Sequence, residues 1–111
     1  MQLLILMTMF LVSGSVLAAL SVPLILGSIP PNGLYGFRVR KTMENPEIWY
    51  PVNKYGGKWL LAASLCLVGA AVAFVFIPGI QLETYSLAVL VVWVIAFIVA
   101  MTASFRYLNR L

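Results

Sequence analysis

The chain has 111 residues, 63% of them apolar and only 9% charged, with a formal net charge of +4, one cysteine and no histidine. A soluble domain is about one-quarter charged, so this composition, with a mean hydropathy of +1.05, argues against a water-soluble bundle and for one small integral membrane domain. The seven basic residues are few and dispersed among apolar ones, so they do not make a nucleic-acid-binding stripe.

Three long uncharged stretches, 1–37, 59–82 and 84–105, supply the apolar content. Each exceeds the ~20 residues needed to cross a ~30 Å hydrocarbon core as a helix. None alternates apolar with polar residues as a barrel strand must. The expected architecture is therefore all-α, with three transmembrane helices over about 3–26, 59–79 and 84–105.

The first helix starts without the Lys or Arg that precedes a secretory signal's apolar region. Its apolar run also continues past the small residues at Ala18 and Ala19, so an uncleaved span is expected. Pro23 should bend or end it.

A polar interval, 30–58, follows and carries five of the seven basic residues. Pro30-Pro31-Asn32-Gly33 is a turn signature, and Gly36 permits a bend or a close backbone approach. Asn45 suits an N-cap, Pro46 the first helical position and Glu47 the positive end of a helix dipole. These signals predict a short interfacial helix from Pro46, with Ile48, Val52 and Tyr55 along one side and Trp49 adjoining. Pro51 should limit it, and Gly56-Gly57 should break it before the second span.

The second and third spans are joined by 78–83, which has no basic residue; Pro78-Gly79 should stop the second span. Arg106 and Arg110 follow the third. Basic residues mark the cytoplasmic side, so the 30–58 loop and the C-terminus are expected inside and the N-terminus outside. Tyr55, Trp59, Tyr85 and Tyr107 fall near the expected interfaces.

Small residues mark helix faces that approach closely in lipid. Such stripes run through Gly14, Ala18 and Ser21; through Ala62, Cys66, Gly69, Ala70 and Ala73; and through Ala96, Ala100 and Ala103. They suggest a compact three-helix bundle, with one stripe available to a second copy and hence to a homo-oligomer. Cys66 reads as an inert small core residue.

No metal-ligand cluster, no intramembrane charge and no nucleophile beside a base is legible. Metal chemistry, ion pumping and hydrolytic catalysis are therefore not expected, nor is a cofactor.

Pro30, Asn32, Gly36, Phe37, Arg38, Thr42, Trp49, Asn53, Gly56 and Gly57 together form a constellation. In order and spacing it resembles the SdpI/YfhL family of small bacterial membrane proteins. Members often have Thr-Pro where this chain has Val39-Arg40, and many carry His in place of Asn53. The founding member is also longer, with further membrane helices. The resemblance implies a non-enzymatic protein of the bacterial cytoplasmic membrane. It would act in immunity to a secreted toxin peptide or in signalling through a cytoplasmic regulator. The other class of function is a small accessory subunit of a larger membrane complex. Within the motif, Arg38 is the residue best suited to a partner: its planar fork can engage loop carbonyls, a headgroup phosphate or a partner carboxylate. Trp49 reads as an interfacial anchor, and Asn32, Thr42 and Asn53 as caps and loop hydrogen-bonders. Gly36, Gly56 and Gly57 read as backbone-geometry positions.

Overall fold

A computed structural model describes residues 1–111. It is all-helical: α1 Gln2–Leu26, α2 Arg40–Glu44, α3 Pro46–Phe74 and α4 Leu82–Asn109. Helices α1, α3 and α4 are long and apolar enough to cross a membrane. Their outer faces carry rows of exposed large apolar side chains, such as Leu4, Ile5, Met9 and Val12 on α1 and Val91, Val94, Ile95 and Ile98 on α4. So much contiguous apolar surface belongs in lipid rather than water. Three of the outward hydroxyls agree: Thr8, Ser13 and Ser86 each donate to the carbonyl four residues earlier, which satisfies them within their own helix.

Helix α1 runs three residues beyond Pro23 and stops where Gly27 turns left-handed at φ 74°. There the Gly27 N–H donates to Leu24 O and the Ser28 N–H to Pro23 O, the paired bonds of a Schellman terminus.

The expected separate helix at Pro46 does not occur. Asn45, Pro46 and Glu47 do start a helix, but it continues unbroken for 29 residues as α3. At 1.5 Å per residue α3 is about 43 Å long, against a core of about 30 Å, so its first turns project beyond the hydrocarbon. Gly56-Gly57 fails to break it because each glycine admits a neighbouring helix. A Cβ on Gly56 would lie 3.2 Å from Ser104 Oγ of α4, and one on Gly57 would lie 3.2 Å from Ser21 O of α1. The packing thus outweighs the ~1 kcal/mol helix cost of a glycine. Pro51 removes one ladder bond near the exposed Glu47, where water can serve the carbonyl.

Helix α3 is the central element, packed on one side by α1 and on the other by α4. At the end holding the α3–α4 turn, Leu67, Ala71, Tyr85 and Val89 form a buried cluster, joined by Leu3, Leu6, Met7 and Phe10 of α1. Phe10 and Tyr85 meet edge-on with centroids 6.1 Å apart. Tyr85 is turned inward rather than lying in an aromatic belt, and its hydroxyl donates to Ala71 O at 2.7 Å. Pro78 and Gly79 occupy a turn closed by Ile80 N–H to Ile77 O.

The small-residue stripes divide. Gly14 is buried, and a Cβ there would meet Val68 and Ser64 O of α3; Ala100 is buried, while Ala18, Ala70, Ala96 and Ala103 are half-buried. By contrast Ala62, Cys66, Gly69 and Ala73 are exposed on the outside of the bundle. The buried face of α3 is instead Ala63, Ser64, Leu67 and Ala71. Packing on both sides of α3 is satisfied by this other face, so Cys66 is not a core residue here.

Candidate functional site

The polar interval folds into a cap over one end of the bundle. It begins with an Asx-type turn: Asn32 Nδ2 donates to Pro30 O at 2.8 Å, while Asn32 Oδ1 accepts from the N–H groups of Leu34 and Tyr35. The turn brings Gly36 down onto α3. Gly36 has φ 115°, and a Cβ there would sit 2.9 Å from both Asn53 Oδ1 and Trp49 Cη2. Both facts demand glycine. Beside it the Phe37 N–H donates to Asn53 Oδ1, and Asn53 Nδ2 donates to Trp49 O at 2.9 Å. Both polar atoms of the Asn53 side chain are thus hydrogen-bonded while the residue is 2% exposed.

Trp49 is completely buried. Its indole N–H donates to Ile29 O at 2.8 Å, joining the start of α3 to the segment leaving α1. Thr42 reaches back to the start of α2, where its hydroxyl accepts from the Val39 N–H at 3.0 Å and lies 2.7 Å from Phe37 O as donor. Three contacts tie the cap to the end of α4. Lys41 Nζ donates to Leu108 O at 3.1 Å, Phe37 meets Phe105 edge-on at 4.8 Å, and Tyr55 stacks on Tyr107 at 4.3 Å. The C-terminus and the loop therefore share one end of the molecule. The basic residues Arg38, Arg40, Lys41 and Lys54 gather there with Arg106 and Arg110.

The motif residues Asn32, Gly36, Arg38, Thr42, Trp49, Asn53, Gly56 and Gly57 all converge on this region. Seven of them serve the fold by turns, hydrogen bonds or close approach. Arg38 differs. It is exposed, its one hydrogen bond is from Nη1 to Gly33 O, and no carboxylate pairs with it. The one ion pair, Arg40–Glu44 at 3.1 Å, is solvent-exposed and adds little.

Beneath the cap α1 and α4 part, leaving a crevice of about 490 Å³. Its walls are Leu17, Leu20 and Leu24 of α1 and Phe97, Met101 and Phe105 of α4; its back is Asn53, Gly56, Gly57 and Leu60 of α3, and Arg38 stands in its lining with Gly36 and Phe37. No buried polar side-chain atom lacks a hydrogen bond, so the interior offers little polar recognition beyond the guanidinium. The sequence alone does not reveal this crevice, because its wall residues are the same apolar types that face lipid. Only Ala100 and Ser104, one turn apart and small, hint at room there.

A family model described as the SdpI/YfhL protein family matches residues 28–104, well over half of the chain. The chain belongs to the SdpI/YfhL family. The match begins at Ser28, so it spans the cap, α3 and most of α4, while all of α1 lies outside it. No curated protein and no solved structure shows a significant match. Membership of the SdpI/YfhL family, together with three helices suited to span a bilayer, identifies a membrane protein and points to an immunity-type role.

Proposed function

We propose that this is a non-enzymatic immunity-type protein of the bacterial cytoplasmic membrane. It acts by binding a peptide or protein partner at the cap: a membrane-active toxin peptide, or a cytoplasmic regulator in a signalling role. The observation that carries this reading is the contrast inside the motif. Seven residues are consumed in building the cap and the helix packing beneath it, and the eighth, Arg38, is held on the cap with its guanidinium exposed. A planar cation with spare donors is suited to a carboxylate of a partner. The cap and C-terminus lie on the cytoplasmic side and the N-terminus outside, as the basic residues at that end favour.

Expression of the chain should protect cells from a membrane-active toxin peptide, and Arg38→Ala should abolish protection at unchanged membrane levels. Full protection by Arg38→Ala would remove the reading. A second reading, a small accessory subunit of a larger complex, is favoured by the exposed stripe Ala62, Cys66, Gly69 and Ala73. Affinity-tagged protein in mild detergent would then bring down one large complex in fixed ratio.

A further inference from the structure

We infer that the crevice between α1 and α4 holds one acyl chain of an anionic phospholipid, whose headgroup phosphate is bound by Arg38. This goes beyond the proposed function, and each can fail without the other.

Shape, position and charge converge on that occupant. The crevice separates the two outer helices at the basic end, whereas at the other end they close through Phe10 and Tyr85. Its walls are leucines on one side and phenylalanine and methionine on the other, a surface that matches a hydrocarbon chain and offers nothing to a polar one. A free acyl chain is the most abundant apolar group available to such an opening in a bilayer. Within the lining, Arg38 is the one charged residue. Its single bond to Gly33 O leaves most of the guanidinium donors unused, and no acid competes for them. Phosphate takes two parallel N–H bonds from such a fork. The flanking Arg40, Lys41, Lys54 and Arg106 raise the local concentration of anionic headgroups. An apolar slot ending in one unpaired cation has the pattern of a single-chain, single-phosphate amphiphile.

Native mass spectrometry of the purified full chain in detergent, titrated with phosphatidylglycerol or with phosphate-free diacylglycerol of identical acyl chains, tests this. One phosphatidylglycerol per chain should bind about tenfold more tightly than diacylglycerol, the value of one charge-assisted pair. Arg38→Gln should bring the two lipids within about twofold of each other, while Arg38→Lys, which keeps the charge, should retain part of the preference. Leu20→Trp fills the crevice from α1 and should weaken both lipids about tenfold, as loss of buried methylenes requires. Met101→Trp, filling it from α4, should do the same, so a folding fault in one variant does not decide the result. Equal binding of the two lipids by the native chain, or binding unaffected by both tryptophan variants, overturns the inference. Complete displacement of phosphatidylglycerol by inorganic phosphate would make Arg38 an anion site without an acyl slot. Displacement by an equal concentration of a short Leu/Ala peptide with a free C-terminal carboxylate would make the crevice a peptide groove. Cell protection is scored separately: lost lipid binding in Leu20→Trp with intact protection would leave the proposed function standing.

Discussion

The two ends of this bundle are built by different means. At the turn end, Leu67, Ala71, Tyr85 and Val89 close the three helices with apolar side chains and one buried hydroxyl bond. At the cap end α1 and α4 part on either side of α3, and hydrogen bonds between backbone groups and the side chains of Asn32, Thr42, Trp49 and Asn53 hold the loop in place. In lipid there is little hydrophobic drive between helices, so both ends depend on fit and on satisfied polar groups. Only the cap end, however, leaves an exposed cation beside an apolar crevice. Packing at one end frees the other to carry a site.

The largest effects that would separate the ends come from the cap. Trp49→Ala removes a fully buried indole and its bond to Ile29 O and should cost about 3–5 kcal/mol. Limited proteolysis should then cut within residues 30–45 before the detergent-solubilised helices unfold. Uniform protection of that segment would mean the cap does not depend on Trp49. Next, Gly36→Ala forces an L side chain into φ 115° and into contacts of 2.9 Å with Asn53 and Trp49. It should cost about 2 kcal/mol and show the same local proteolysis. The turn end should remain intact in both variants.

How much of this was legible in the sequence follows the same division. Three spans were readable because length and apolar content decide them almost alone. The turn at Asn32 and the start at Asn45-Pro46 were readable too, since their chemistry is local. Local rules failed at Pro51 and Gly56-Gly57, where a break was expected and α3 runs through. The missing information was the identity of the partners, Ser104 on one side and Ser21 on the other, which repay the glycines from far along the chain. The stripe on α3 failed for the same reason. Ala62, Cys66, Gly69 and Ala73 and the truly buried Ala63, Ser64, Leu67 and Ala71 are adjacent faces of similar composition, and only the positions of α1 and α4 choose between them. Each motif residue could be named in advance. That seven of them are spent on the fold required the hydrogen bonds.

A middle-sized effect tests the turn end. Tyr85→Phe keeps the ring against Phe10 and deletes only the bond to Ala71 O. Interhelical hydrogen bonds in lipid are worth about 0.6–2 kcal/mol, so thermal unfolding in detergent should fall by about 1 kcal/mol with no proteolysis of the cap. Loss of cap protection in this variant would mean that the two ends unfold as one unit.

The smallest effect belongs to the outward stripe. A Cβ on Gly69 would meet nothing within 4 Å, and Cys66 beside it is exposed. Gly69→Leu should therefore leave the unfolding of the isolated chain within about 0.5 kcal/mol, as surface substitutions do, whereas the same change at the buried Gly14 would collide with Val68 and Ser64 of α3. Maleimide should label Cys66 equally in both proteins in detergent. A destabilisation above about 1 kcal/mol would mean that this face is packed against something the single chain lacks. A second copy would then be released by Gly69→Leu as a change in oligomer size, and a larger complex as its loss from the affinity-purified sample. The same small residues thus report opposite things on two faces of the bundle, because what a glycine marks is the backbone or side chain that approaches it.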